Sequence, residues 1–193
     1  MSFLSKLLLK KREQVKDAYV TIIGPPKAGK TTLVRYLETG KPVEEELSTT
    51  LGIEVRKTGV QIDQWRLRAI DTGGQKIYQQ TFWELAVQQA DVVIFLIDAT
   101  IKPDTNPELY ELTKEQFSYA LDIIPEDVPL LVLINKQDLK EKNPMNVDEA
   151  LQILDFGSIP NRSMAFYPCS AKYGTGVEEA INWIVTQLDS QKR

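Results

Sequence analysis

Residues 24–32 read Gly24-Pro25-Pro26-Lys27-Ala28-Gly29-Lys30-Thr31-Thr32, which is the spacing G-x-x-x-x-G-K-[ST]. They lie between a strand-like run, Tyr19–Ile23, and a helix-like run, Leu33–Glu38. Strand, loop and helix in that order are the setting in which this spacing cradles a polyphosphate. A nest of backbone N–H groups and the positive end of a helix dipole hold the dense negative charge. The predicted donors are the amides of Lys27, Ala28, Gly29, Lys30, Thr31 and Thr32, because Pro25 and Pro26 have none to give. Lys30 is placed to reach the terminal phosphates, and the Thr31 hydroxyl to ligate a Mg²⁺ ion, which favours oxygen ligands. Read blandly, the same residues are a Gly/Pro turn before a helix; the flanking runs count against that.

Two further stretches fit the same chemistry. Asp71-Thr72-Gly73-Gly74-Gln75 follows an alternating, strand-like segment. A carboxylate there can hold the metal through its water shell. Gly74 lets a backbone N–H approach the terminal phosphate, and Gln75 can orient an attacking water. Upstream, Ser48-Thr49-Thr50-Leu51-Gly52 offers threonines able to sense phosphate and ligate the metal. Thr50 is the expected ligand, although spacing alone does not separate it from Thr49.

Asn135-Lys136-Gln137-Asp138 closes another apolar run. Guanine presents N1–H and an exocyclic amine side by side, and the ionised carboxylate of Asp138 can accept both. Adenine offers neither there, and a buried carboxylate left unpaired costs about 1–3 kcal/mol or more. Asn135 can tie this loop to the phosphate loop, and the stem of Lys136 can cover one purine face. In Ser170-Ala171-Lys172 the Ala171 amide is placed to meet the guanine carbonyl. In isolation Asn-Lys-x-Asp is an ordinary surface turn; its place after a buried strand gives it weight.

These loops need a frame. Segments 52–60 and 64–71 read as two strands joined by a turn near Gln61–Gln64. Asp91–Asp98 and Val128–Ile134 are nearly continuous apolar runs, as in parallel strands buried on both faces. Ala165–Pro168 is a further strand. Helices are expected over 79–89, 108–124, 147–156 and 177–188. Strands alternating with helices give a right-handed α/β sheet with ligands at the C-terminal strand ends. The acidic run Glu44-Glu45-Glu46 reads as a solvated loop.

Composition narrows the chemistry. At 193 residues, with 42% apolar and 26% charged content, the chain is long enough for one ordinary globular core. It has no histidine and one cysteine, Cys169. That removes Ser-His-Asp and Cys-His catalysis, histidine-ligated metals and internal disulfides. The net charge of −4 conceals an asymmetry. Residues 1–16 set Lys6, Lys10, Lys11, Arg12 and Lys16 against Glu13, a net +4, so the rest of the chain carries −8. An acidic body argues against nucleic-acid binding. In the basic arm, Phe3, Leu4, Leu7 and Leu8 recur at helical spacing. Such a helix can lie in a membrane interface or pack on the domain's own groove. Ser2 stands where N-myristoylation requires glycine, and the chain end offers no prenylation cysteine.

Taken together, these motifs from about Ala18 to Leu188 resemble the small GTPases of the Ras superfamily, and among them the Arf/Sar/Arf-like group. Thr50-Leu51-Gly52-Ile53, Asp71-x-Gly-Gly-Gln75, Asn135-Lys136-Gln137-Asp138 and the amphipathic arm carry the likeness. The resemblance implies a P-loop NTPase fold: a Ras-like G domain over 18–193, with a mostly parallel six-stranded sheet, preceded by an arm over 1–17. It implies a GTP/GDP switch that hydrolyses GTP, with Mg²⁺ held by Thr31, Thr50 and Asp71, and with Lys30, Thr50 and Gln75 as the catalytic set. Loops around Thr50 and Gln75 would order with the γ-phosphate, and a register shift of the 52–71 hairpin would displace the arm. An exchange factor, an activating protein and effectors are the implied partners, and the implied location is cytoplasmic, peripheral on a membrane in the GTP state. Ser2 implies weak, Sar-like anchoring. Leu47 occupies the place of a cis arginine finger, so turnover is expected near ~10⁻⁴ s⁻¹ without an activator. The alternative is a GTP-binding interaction module with negligible hydrolysis; an ATPase or nucleotide kinase is opposed by Asp138.

Overall fold

The computed structural model describes residues 15–44, 53–72, 76–154 and 162–191. Alternation along its strands explains the architecture. In β4 (Val92–Asp98), Val92, Ile94 and Leu96 face one side, while Val93, Phe95 and Ile97 face the other, all at most 1% exposed. A strand buried on both faces must carry apolar residues at every position, hence the unbroken run. Each such side chain contributes about 1.5–3 kcal/mol of burial free energy.

Two layers of helices cover those faces. On the first, Leu33, Val34 and Leu37 of α1 (Lys30–Thr39) and Val177, Ala180, Ile181, Ile184 and Leu188 of α5 (Val177–Ser190) pack over Val20, Ile22 and Ile94. On the second, Trp83 and Val87 of α2 (Lys76–Val87), Phe117 and Ala120 of α3 (Pro107–Ile123) and Ala150 of α4 (Val147–Ile153) meet Phe95, Ile97 and Val132. Phe95 stands edge-on to both Trp83, at 6.2 Å, and Phe117, at 5.1 Å between ring centroids. Helix ends follow from their residues. Asn106 accepts from the Leu109 amide ahead of Pro107, Asn146 and Glu149 form a capping box, and Gly40, at φ 64°, closes α1.

The sheet order is β2-β3-β1-β4-β5-β6, with β1 Lys16–Ile23, β2 Ile53–Ile62, β3 Trp65–Thr72, β5 Leu130–Asn135 and β6 Met164–Pro168. Only β2 and β3 pair antiparallel, joined by a turn in which Asp63 takes φ 50°. This agrees with the expected six-stranded, mostly parallel sheet. The register places Ile22 beside Asp71 and Asp98 beside Asn135. The C-terminal strand ends, and the loops they launch, are thereby gathered on one edge.

Several boundaries differ from the sequence reading: α2 runs Lys76–Val87 where 79–89 is expected, β5 Leu130–Asn135 where 128–134 is expected, and β2 continues to Ile62. Strand β1 begins at Lys16, so the last residues assigned to the arm belong to the sheet. The Lys16 amide donates to the Gln64 carbonyl at 2.7 Å, and Asp17 pairs with Arg68 at 3.1 Å; polar side chains at an exposed strand end hide such pairing from hydropathy. Helix α4 is described only to Ile153, and residues 155–161 lie outside the described set. So do residues 1–14, which hold nearly all of the arm.

The hairpin's turn end is fastened to the last helix. Asp189 of α5 accepts from the Trp65 indole N–H at 2.8 Å and from Gln64 Nε2 at 3.3 Å. Trp65 is otherwise buried, at 3% exposure, so its N–H needs that acceptor. Asp189→Ala should lower stability by about 1–2 kcal/mol, read in urea as a reduced midpoint with an unchanged m-value; an unaltered midpoint would show that water replaces the carboxylate.

Candidate nucleotide-binding site

The phosphate loop leaves β1 at Gly24, whose φ is 139°, and a Cβ there would lie 2.3 Å from the Leu96 carbonyl oxygen. The loop is therefore pressed against β4, and only glycine fits. At the other end Gly29, at φ 101°, is the N-cap of α1 and brings no side chain to occupy the helix's first amides. Those amides point out of the helix end with the dipole behind them. Among the donors expected from the sequence, the Ala28 amide instead makes a long bond of 3.4 Å to the Pro25 carbonyl. Lys27 is exposed, with φ 62°.

Lys30 is 6% exposed, and its ammonium donates to the carbonyls of Gly24, at 2.9 Å, and Pro25, at 2.8 Å. The prolines give no amide, but Pro25 supplies an acceptor. Burial pulls the Lys30 pKa down to about 8, against the opposing pull of the Asp71 carboxylate. Asp71 itself is wholly buried at the end of β3. Neighbouring Thr72 donates its hydroxyl to the Ile22 carbonyl at 2.8 Å, which locks that strand end to β1. A buried carboxylate and the Thr31 hydroxyl are both hard oxygen donors, and this donor set fits Mg²⁺.

Asn135, 2% exposed, joins three loops. Its Nδ2 donates to the Ala28 carbonyl at 2.8 Å, as the sequence reading expected. Its Oδ1 accepts from the Ala171 amide at 2.8 Å. The Ala171 N–H, which the sequence reading directs at the guanine carbonyl, satisfies a buried amide oxygen here. The thiol of buried Cys169 lies 3.6 Å from the same oxygen, and burial pushes its pKa up to about 12.

Asp138 is held by Ser170, whose hydroxyl donates to Oδ1 at 2.7 Å; that hydroxyl in turn accepts from the Tyr173 amide at 3.3 Å. Lys136, at φ 68°, sends its ammonium to Asp98 Oδ2 at 2.6 Å. Lys172 is exposed, its ammonium 5.2 Å from the Tyr173 ring centroid and its carbonyl accepting from Val43 at 2.9 Å. A cavity of about 300 Å³ lies between these loops, lined by Gly29, Thr32, Val43, Glu44, Asn135, Lys136, Asp138, Leu139 and Lys172. Phosphate-loop and base-loop residues thus share one wall, with Asp138 in it. A groove of about 430 Å³ between α1, β2 and α5 holds no phosphate-loop residue. Thr50, Gly74 and Gln75 lie outside the described residues, as does Leu47.

Sequence reasoning missed Asp98 and the Val43–Lys172 tie. Asp98 was visible as the polar end of an apolar run, the same signal that singled out Asp71. Backbone bonds such as Val43 to Lys172 leave no mark on residue type. Glu44, read as solvated, borders the cavity.

The state of Lys30 has a measurable consequence. Its amine is half-protonated near pH 8, and a polyphosphate beside it favours the ammonium, so nucleotide binding must draw a proton from solvent. At pH 8 uptake should be about half a proton per GDP bound, shrinking below pH 7, with affinity falling as pH rises above 8. Calorimetry in two buffers of different ionisation enthalpy reads this directly; proton release at pH 8 would contradict it.

Comparison with known proteins agrees with this geometry. Residues 3–188 match the family model described as ADP-ribosylation factor family. The chain is 33% identical to ADP-ribosylation factor-like protein 3 of Chlamydomonas reinhardtii over 187 residues, covering 93% of this chain and 94% of that one. It is 29% identical to ADP-ribosylation factor-like protein 2 of Dictyostelium discoideum over 189 residues, covering 96% and 95%. In fold it is similar to the Arl6 BBS3 small GTPase from Trypanosoma brucei, solved with the nucleotide analogue GppNp. The TM-score is 0.74 at 23% identity, covering 91% of this chain and 99% of that chain. With a phosphate loop and a guanine-type base loop sharing one cavity, and a family match along nearly the whole length, the chain belongs to the ADP-ribosylation factor family of small GTPases, GTP-binding switches that hydrolyse GTP.

Proposed function

We propose that the residues named above divide the work of a GTP/GDP switch between a base end and a phosphate end. The observation that carries this reading is Asn135, which bonds Ala28 on one side and Ala171 on the other while Asp138 lines the same cavity. Asp138 selects guanine, held in orientation by Ser170. Lys30 gives up its carbonyl partners to the β- and γ-phosphates, and the α1 amides receive the rest of the charge. Thr31 and Asp71, with Thr50, hold Mg²⁺, which would neutralise charge developing on the phosphoryl oxygens. Gln75 orients the water for in-line attack. No arginine serves in cis where Leu47 stands, so an activating protein supplies one.

Hydrolysis by the isolated chain is accordingly slow. In single-turnover assays the rate should lie near ~10⁻⁴ s⁻¹, and Gln75→Leu should reduce it at least ~10-fold while GTP stays bound. A rate unchanged by that substitution would remove Gln75 from the mechanism. Negligible wild-type hydrolysis with intact GTP binding would favour a pure interaction module.

The arm gives the switch its second output: peripheral, reversible attachment of a cytoplasmic protein to membrane in the GTP state. Phe3, Leu4, Leu7 and Leu8 with the surrounding lysines support it. Lysines interrupt the arm's apolar residues at Lys6, Lys10 and Lys11, so the attachment proposed is interfacial. Vesicles containing anionic lipid should float more GTP-loaded than GDP-loaded protein. Deleting residues 1–14, which stops short of β1, should abolish the difference; a truncated chain that still floated more when GTP-loaded would end this part of the proposal.

A further inference from the structure

We propose that Asp98, at the exit of β4, is a positioning residue for guanine nucleotide: it pins the head of Lys136 so that the lysine stem stays against the purine. This rests on the assignment of Lys136 and Asp138 to the base end of the site. The carboxylate is itself held rigidly. Asp98 Oδ1 accepts from the Thr100 amide at 2.9 Å and from the Thr100 hydroxyl at 2.7 Å, which leaves Oδ2 facing Lys136. The pair is partly buried, with side chains 11% and 28% exposed, so water competes less for it than for a surface ion pair. Lys136 needs such a restraint. A four-carbon stem has many rotamers, and its backbone already occupies the left-handed region that non-glycine residues rarely adopt.

The strands bring the two residues close. Asp98 and Asn135 are register partners on β4 and β5, and the Ala99 amide donates to the Asn135 carbonyl at 2.9 Å. The Met145 amide donates in turn to the Ala99 carbonyl at 2.8 Å, and Gln137 Nε2 to the Met145 carbonyl at 2.8 Å. β4 lies between β1 and β5 in the sheet, so its exit braces the base loop from the strand that separates it from the phosphate loop. With its backbone fixed beside Asn135 and its ammonium fixed on Asp98, the Lys136 stem is held at both ends.

The test is the release rate of a fluorescent GDP analogue from the full chain. Asp98→Asn keeps the shape and the Thr100 acceptor but loses the attraction to the ammonium; release should quicken about tenfold. Lys136→Met keeps the apolar stem and removes the head, and should do the same. If Asp98 acts through Lys136, adding Asp98→Asn to Lys136→Met changes release less than about twofold, whereas a merely structural Asp98 would make the effects multiply to about a hundredfold. Thr100→Val, which loosens the carboxylate but keeps the pair, should give about a two- to threefold effect. Unchanged release in Asp98→Asn, or multiplicative effects in the double variant, would overturn the proposal. A wild-type chain that bound no GDP analogue would overturn the site assignment beneath it as well.

Discussion

The side chain of Asn135 is the point on which the binding edge depends. It is buried, and a primary amide can be buried without penalty only when both its ends are bonded. Here the donor end reaches the phosphate loop and the acceptor end the loop after β6. Each bond contributes about 0.5–1.5 kcal/mol net, which is modest. Leaving either end unmet would cost about 1–3 kcal/mol, and that asymmetry makes the three loops a single unit. The sheet delivers these loops to one edge; Asn135 sets their separation.

Lys30 presents the opposite economy. A buried ammonium held by two carbonyls is stable enough to exist, but burial leaves the charge poorly solvated there and lowers its pKa. The Gly24 and Pro25 carbonyls are neutral partners, weaker than phosphate oxygens. A site whose lysine is under-solvated favours an anionic ligand by what the lysine gains on binding it. Asp71 works on the same charge from the neighbouring strand, and its total burial makes a cation partner valuable to it also.

What the sequence disclosed, and what it withheld, follows the kind of interaction involved. The sheet was legible because β4 and β5, buried on both faces, must be apolar throughout, and because the loop residues carry special chemistry: Gly29, Lys30, Asn135, Asp138. The first residues of β1 were not, because Lys16 and Asp17 are polar and join the sheet through a backbone bond and ion pairs. The bond from the Ala171 amide to the buried Asn135 oxygen likewise leaves no mark on residue type. Asp98 carries the same strand-end signal as Asp71, but its role comes from its bond to Lys136 on the neighbouring strand's loop, and residue type does not show which partner it meets.

Those limits also show why the motifs belong together. A Cβ at Gly29 would lie 2.4 Å from Asn135 Nδ2, closer than any side-chain carbon can sit. The glycine is thus demanded by the base loop as well as by the phosphates, although Asn135 lies more than 100 residues away and is joined to adjacent Ala28 across a separation of 107. Enlarging residue 29 would displace the Asn135 amide, and with it the Ala171 loop that Asn135 holds, before any phosphate was touched. Ser170, beside Ala171 in that loop, orients Asp138, so the disturbance would reach the group that reads the base. Phosphate binding and base selection are therefore one packing problem, solved by the absence of a side chain at one position and the full bonding of an amide at another.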